Sequence, residues 1–138
     1  MSGDQAEGGC LCGAIRYRVS GEPAAATLCH CGSCRRASGG TNVAWAVFDA
    51  DQFEWLNGSP TAYSSSPGLE WLFCGYCGSL VGYRRASRAN HMDVTTATLD
   101  DPGRYPPSVE IWLEQRIEWE TLHPDLPKKQ QSSLNAPE

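Results

Sequence analysis

The residues CGYCGS, at positions 74–79, place two cysteines two residues apart and follow each of them with a glycine. Two residues between thiols allow a tight turn that directs both sulfur atoms at one metal ion, and glycine permits the positive φ that such turns require. A tetrahedral sulfur site needs a second pair of thiols, and CLCG at residues 10–13 offers one. We therefore predict a closed, structural zinc site with these ligands: Cys10, Cys12, Cys74 and Cys77.

Three further cysteines lie in the central run CHCGSC, residues 29–34. Zinc sites with three protein ligands keep one position open for water or substrate. His30 stands between two of the thiols, so we expect its ring to point away from the metal that they share. Three thiolates would leave a Zn²⁺ centre formally −1, which favours binding a soft thiolate over activating water. We predict an open, catalytic zinc site at Cys29, Cys31 and Cys34, which loses its ion more readily than the closed site.

Other uses of the seven cysteines are less favoured. Their number is odd, each lies within two or three residues of another, and the polar opening MSGDQAEGG is not a signal peptide, so we expect a cytoplasmic protein without a disulfide scaffold. Redox chemistry by Cys31 and Cys34 is an open alternative, although it would leave Cys29 without a role. An iron centre at the four-cysteine site is also open, because its ligand shell would be the same.

Length and composition exclude several functional classes. The chain has 138 residues, enough for one domain, with 41% hydrophobic and 20% charged residues. Its net charge of −5 argues against nucleic-acid binding, which depends on neutralising phosphates with cations. The apolar run at residues 43–48 is about a third of a membrane span, so we expect no membrane partner. We divide the chain into a polar leader (1–7), one zinc domain (8–127) and a disordered tail (128–138), with a segment lying loosely on the surface as the alternative for the tail.

Short alternating segments separated by Gly and Pro predict an all-β fold of several short antiparallel sheets. The turn NGSP at residues 57–60 predicts a hairpin between strands 53–56 and 61–64. Other strands are predicted at residues 15–19, 43–47, 69–73, 80–84, 91–98, 108–112 and 117–120. We expect one or two helical turns after the central cysteines and another near residues 49–52. The five tryptophans are predicted to be core residues: Trp45, Trp55, Trp71, Trp112 and Trp119.

Two groups of arginines follow the cysteine loops in this net acidic chain. Arg35 and Arg36 come directly after the third central cysteine, and a second group contains Arg84, Arg85 and Arg88. Guanidinium groups bind carboxylates with two parallel hydrogen bonds, so an anionic substrate is indicated. Solvated loop charges are the alternative interpretation, and for each arginine taken singly it is the better one.

Five segments together resemble the glutathione-dependent formaldehyde-activating enzyme (Gfa) family, which includes centromere protein V. They are GGCLCGAIRYRVSGEP (8–23), CHCGSCRRASG (29–39), FCGYCGSL (73–80), TLDDP (98–102) and IWLEQR (111–116). The resemblance runs from Gly8 to Pro127 and implies a β-tent fold, like that of methionine sulfoxide reductase B, with one structural and one catalytic zinc site divided as above. Many members carry a His where this chain has Leu28, so a role of that His is not transferred.

The family's name reaction adds the thiol of glutathione to formaldehyde and is classed with the carbon–sulfur lyases. For this chain we therefore expect a small thiol, such as glutathione, to bind at the open site, with Arg35 and Arg36 as substrate-binding residues. His30 is the nearest titratable candidate for catalytic proton transfer, ahead of His91 and His123, although a loop His without a catalytic role fits the sequence at least as well. Tyr76 and Tyr83 are candidate pocket residues, although aromatic residues beside a metal-binding turn are more often packing residues. The alternative is a non-enzymatic zinc-binding module of the same fold that acts through protein contacts.

Overall fold

The computed structural model describes residues 4–132, which form two β-sheets, and the predicted all-β fold is confirmed. The smaller sheet has three antiparallel strands in the order β1–β2–β5. Its strands are β1 (Gln5–Gly9), β2 (Arg16–Ser20) and β5 (Phe53–Asn57). The first strand was not predicted, and it begins inside the stretch that we expected to be a leader.

The larger sheet has seven strands in the order β10–β3–β4–β9–β8–β7–β6. Their bounds are β3 Ala25–Cys29, β4 Val43–Asp49, β6 Thr61–Tyr63, β7 Leu69–Phe73, β8 Leu80–Arg85, β9 His91–Thr95 and β10 Val109–Ile111. The pairing of β10 with β3 is parallel, which corrects the prediction of purely antiparallel sheets. A long connection separates these two strands in sequence, so no hairpin forces them to run in opposite directions.

The two faces of the larger sheet have different functions, as β4 shows. Ala46 and Phe48 are fully buried on one face and pack with Tyr17 and Val19 of the smaller sheet in one apolar cluster. Val43, Trp45 and Val47 point to the other face, because side chains alternate along a strand. That second face carries a separate cluster, which includes Cys29 and Cys34. The first face therefore joins the sheets, and the second is left to form a site.

The turn at residues 57–60 does not form the predicted hairpin. β5 pairs with β2 in the smaller sheet, whereas β6 pairs with β7 in the larger one. Gly58 has φ +73° and lies so close to Ala14 that an added Cβ would overlap the Ala14 carbonyl oxygen. The Asn57 side-chain amide also donates to that oxygen (3.2 Å). These contacts hold the end of β5 on the smaller sheet, and the chain crosses to the larger sheet from there.

Near the end of the chain, the structure differs from the expected strand and shows contacts for part of the expected tail. Residues 117–120 form a turn in place of a strand, with the Glu120 N–H donating to the Ile117 carbonyl (3.0 Å), and Trp119 is 74% exposed. Residues 128–131 of the predicted tail are exposed and form backbone hydrogen bonds with β10 and the residues after it, which corresponds to the alternative of a segment lying on the surface. The Lys129 N–H donates to the Glu110 carbonyl (2.8 Å). Residues 133–138 of the predicted tail lie outside the described residues.

Helices are few and short. The α-helix α1 (Gly32–Ser38) follows the central cysteines, and a 3-10 helix at Ala50–Gln52 lies where the second helical turn is predicted. Other 3-10 helices are Ala86–Arg88, Thr96–Thr98, Pro102–Arg104 and Leu113–Gln115. Between residues 4 and 132, no helix combines the length and the apolar character needed to cross a membrane.

Replacing Gly58 by alanine is expected to destabilise the fold more than the same change at Gly39. Both glycines have positive φ, which costs a non-glycine residue about 1–2 kcal/mol. A Cβ at Gly39 meets nothing within 4 Å, whereas at Gly58 it meets backbone. Urea unfolding should therefore show the larger loss for Gly58→Ala. Equal losses would contradict the role given to the Gly58–Ala14 contact.

Candidate metal centres

The first cluster of thiols brings together two loops that are far apart in sequence. Cys10 and Cys12 lie between β1 and β2, and Cys74 and Cys77 lie between β7 and β8. The four sulfur atoms all lie within 4.8 Å of one another, as predicted from the spacing. Because one loop belongs to the smaller sheet and the other to the larger, the cluster joins the two sheets at their ends.

The two loops direct their sulfur atoms in the same way. In each, a backbone N–H donates to the first sulfur: Ile15 to Cys10 (3.3 Å) and Tyr76 to Cys74 (3.4 Å). In each, the second cysteine is followed by a glycine with positive φ, +84° at Gly13 and +81° at Gly78. This repetition is typical of paired metal-binding turns and shows why glycine is needed after the second thiol.

The sulfur spacing fits a tetrahedral metal site. The Sγ–Sγ distance is 3.7 Å between Cys10 and Cys12 and 3.8 Å between Cys12 and Cys74. Four sulfur atoms placed about 2.3 Å from a central Zn²⁺ are separated by about 3.8 Å. A disulfide would need about 2.05 Å, and all seven cysteines are free. The residues present therefore fit a metal held by four thiolates.

The second cluster lies where β3 ends and α1 begins. Cys29 is the last residue of β3, Cys31 is the N-cap of α1 and Cys34 lies in its first turn. The Sγ atoms of Cys34 and Cys29 are 3.4 Å apart. Within residues 4–132 no fourth Cys, His, Asp or Glu ligand atom joins the three. The predicted division of seven thiols into four and three is therefore what the fold produces.

Hydrogen bonds stabilise thiolates in both clusters. Hydrogen bonds from the Cys29 and Cys34 thiols lower the pKa of Cys31 to about 3, and the Cys34 N–H contributes. Hydrogen bonds from Ser79 lower the pKa of Cys77 to about 5. Other thiols behave in the opposite way: hydrogen bonds with Cys31 and Cys34 raise the pKa of Cys29, and the pKa of Cys12 is raised to about 11. Each cluster therefore pairs stabilised thiolates with thiols that a bound metal would have to deprotonate.

The three-cysteine cluster opens onto a cavity of about 220 Å³. Its walls come from the free face of the larger sheet, chiefly Trp45, Trp71 and Tyr83, whose rings are in mutual contact. The Trp45 indole N–H donates to the Cys34 sulfur (3.4 Å). The site thus combines three thiols with an aromatic wall, which contains Tyr83, one of the two candidate pocket tyrosines. Tyr76 is 90% exposed at the tip of the other loop.

His30 points away from this cavity. Its ring is 1% exposed, and Nε2 lies 2.8 Å from Oε1 of Glu110, which is fully buried. Burial would raise the pKa of Glu110, but hydrogen bonds from His30 and Lys128 bring it below its usual value. The ring lies apart from the three thiols, as expected for a residue between two ligands. Its predicted part in proton transfer stays a prediction, and its position favours holding the cysteine loop.

The predicted arginines lie in different parts of the structure, and few of them line the cavity at the three thiols. Arg36 is exposed and lines a groove that shares Ser33, Ser65 and Trp71 with the cavity, whereas Arg35 lines neither space. Arg84 is exposed and paired with Glu70 (2.8 Å). Only Arg88 of the predicted arginines lines the cavity itself.

Sequence reasoning missed three polar residues that shape the site. Glu110 anchors His30 and also accepts from the His123 N–H (3.0 Å). Gln115 accepts a hydrogen bond from the Gly32 N–H (2.8 Å) at the start of α1, and Asp93 lines the cavity. A charged residue between Val109 and Ile111 in an apolar strand was the available signal for Glu110. No comparable signal marks the other two.

Serine substitution should separate the roles of the two clusters. We expect the wild type to bind two metal ions and Cys12→Ser and Cys31→Ser to bind one each. The loss in unfolding free energy should be larger for Cys12→Ser, because that cluster joins the two sheets and metal binding is coupled to folding. Metal content by mass spectrometry and urea unfolding measure both. A larger loss in unfolding free energy for Cys31→Ser than for Cys12→Ser would reverse the assignment. Titration with a chelator gives an independent check, because it should empty the three-cysteine site first.

Comparisons with known proteins show which family this chain is similar to. A sequence model of the family described as "Glutathione-dependent formaldehyde-activating enzyme" matches residues 5–115. A Halomonas elongata protein named "Putative glutathione-dependent formaldehyde-activating enzyme" is 31% identical over an alignment of 123 residues. The match covers 82% of this chain and 78% of that protein. The crystal structure of a Rhodobacter sphaeroides protein is similar with a TM-score of 0.58 and 27% identity, over 68% of this chain and 87% of that one. The predicted resemblance is confirmed, and the chain belongs to the glutathione-dependent formaldehyde-activating enzyme family.

Proposed function

We propose that this protein is a zinc-dependent enzyme of the carbon–sulfur lyase type that adds glutathione, or a similar small thiol, to formaldehyde or another small carbonyl. The observation that carries the proposal is the three-cysteine cluster on the floor of an aromatic-walled cavity, without a fourth side-chain ligand among the described residues. The names of the matched family and of the Halomonas elongata relative support the choice of thiol and carbonyl.

The reaction makes modest chemical demands on the protein. The sulfur forms a bond to the carbonyl carbon, the C=O double bond becomes a single bond, and the proton lost by the thiol ends on the new hydroxyl oxygen. A Zn²⁺ ion on the three sulfur atoms would supply one open coordination position and would favour the thiolate form of a thiol there. Because thiols and formaldehyde combine unaided, positioning of the two reactants supplies most of the acceleration.

The chain's own residues prepare the place where the reactants meet. The Trp45 indole N–H donates to the Cys34 sulfur, and the Cys34 backbone N–H donates to the Cys31 sulfur. These hydrogen bonds stabilise negative charge on the sulfur atoms without the help of water. The Gln115 side-chain oxygen accepts a hydrogen bond from the Gly32 backbone N–H, and the His30 backbone N–H donates to the Ile111 carbonyl (3.0 Å). These two bonds hold the loop on both sides of Cys31. We propose that these bonds keep the three thiols in one geometry while a substrate enters.

The groove beside the cavity offers a place for the rest of the thiol molecule. It joins the cavity at Ser33, Ser65 and Trp71 and carries the exposed guanidinium of Arg36. We propose that Arg36 attracts a substrate carboxylate at this rim, with Arg35 adding positive charge nearby. Because Arg36 is exposed, its contribution to binding is small and decreases with salt.

The proposed activity is tested by exchange NMR, which measures the rate of S-(hydroxymethyl)glutathione formation. Metal-loaded wild type should accelerate the exchange, and Cys31→Ser should return it to the uncatalysed rate. An unaccelerated exchange with the loaded wild type would overturn the proposal and favour the non-enzymatic module.

A matched pair of tryptophan variants tests the cavity more finely. Trp45→Phe keeps a ring in the wall but removes the N–H that donates to Cys34, so we expect about a tenfold lower rate. Trp55→Phe makes the same change in the smaller sheet, where the ring contacts Tyr17 and Phe53, and should leave the rate unchanged. Equal rates for both variants would show that the hydrogen bond from the Trp45 N–H to Cys34 does not contribute to the rate.

A further inference from the structure

One arginine of the cavity wall has no part in the proposed reaction so far. Arg88 ends the 3-10 helix that follows β8, and its side chain is only 11% exposed. It lines the same cavity as Cys29, Cys31 and Cys34. A guanidinium is always charged and is almost never buried unless it is paired. Its surroundings therefore show whether the fold itself satisfies it.

The described partners of Arg88 satisfy it only in part. Nη2 lies 3.4 Å from Oδ2 of Asp93, and Nη1 lies 3.4 Å from Nδ1 of His91. Both distances are long for charge-assisted hydrogen bonds, which are typically about 2.7–2.9 Å. The Nε atom is buried and has no hydrogen-bond partner within the described part of the chain. Because the contacts of Nη1 and Nη2 are long, the guanidinium of Arg88 retains capacity to donate to an anion in the cavity that it lines.

Asp93, which lies beside this guanidinium, belongs to an inner strand of the larger sheet. It lies in β9, where it pairs with Val47 on one side and Tyr83 on the other. Burial raises the pKa of the Asp93 carboxyl above its usual value, and the positive charge of Arg88 opposes that rise. The carboxylate neutralises part of the local positive charge and orients the arginine without using all five of its donors.

The position of Arg88 relative to the thiols suits a peptide-like thiol. Along β4, Val43 pairs with Cys29 and Val47 pairs with Asp93, so four residues separate the two ends. At about 3.3 Å per residue this is roughly 13 Å along the strand, and β3 and β9 lie two strand spacings of about 4.8 Å apart across the sheet, so the two backbone positions are about 16 Å apart. The side chains of both ends shorten this gap. An extended tripeptide spans about 10 Å. A thiol tripeptide can therefore reach from the cluster to this end of the cavity.

We propose that Arg88, oriented by Asp93, binds a carboxylate of the thiol substrate at the inner end of the cavity and so selects peptide-like thiols over simple ones. This inference rests on the proposed function for the identity of the ligand. It assigns the two carboxylates of glutathione to different places, one at the buried Arg88 and the other at the exposed Arg36. Because Arg88 is desolvated, its bond contributes more to affinity than the rim arginine does.

The test compares Arg88→Gln with Arg84→Gln, which removes the same charge from the same strand and helix region. Arg84 is exposed and paired with Glu70, so it serves as the control. The probe is S-methylglutathione, whose capped sulfur keeps both carboxylates but cannot form a thiolate or react with formaldehyde. Calorimetry on metal-loaded protein should show a Kd at least tenfold higher for Arg88→Gln and within twofold of wild type for Arg84→Gln.

Kinetic constants provide a second measurement, which distinguishes carboxylate binding by Arg88 from a purely structural role. With glutathione, Arg88→Gln should raise KM with little change in kcat, whereas with 2-mercaptoethanol, which has no carboxylate, KM should be unchanged. Unaltered S-methylglutathione binding in Arg88→Gln, or equal KM effects for both thiols, would overturn the inference. Absence of formaldehyde chemistry together with Arg88-dependent binding would overturn the proposed function and leave this inference standing.

Discussion

The architecture depends on one joint, where the sulfur atoms of Cys10, Cys12, Cys74 and Cys77 converge between two sheets. The smaller sheet has only three strands and shares a single apolar face with the larger one. A domain of this size buries a modest core, so a metal held by both sheets would add stability to the limited amount that apolar burial provides. The joint also fixes where β7 and β8 lie, and with them Trp71 and Tyr83 of the cavity wall.

With one face of the larger sheet committed to the core, the other is free to form a site. The strand period of two places Thr27 and Cys29 on the free face and leaves Glu110 of the neighbouring strand on the opposite side. Glu110 then satisfies His30, Lys128 and a backbone N–H behind the cysteine loop. The same sheet edge therefore carries thiols toward the cavity and a buried polar network behind them.

Much of this was accessible from local sequence patterns. The β4 and β7 strands follow from alternation, the short helix from its position after the central cysteines, and both thiol clusters from spacing and glycine placement. Failures occurred where local signals gave way to distant contacts. The Asn57–Pro60 turn looks like a hairpin, but its contact with Ala14 directs the two strands to different sheets. Residues 128–131 carry no periodicity and yet form backbone hydrogen bonds with β10 and the residues after it, because the backbone groups of that edge strand need partners.

The sequence by itself determined the chemistry of the protein, namely which thiols exist, how they divide into four and three, and to which family the chain belongs. Metal-binding turns are local, so a few residues encode them. Only the tertiary structure decided which charged groups share the space with the thiols. Arg88 and Asp93 line the cavity while Arg35 does not, although Arg35 is adjacent to a ligand in sequence. Strand pairing brings residues more than fifty positions apart onto one face, and no local pattern encodes that neighbourhood.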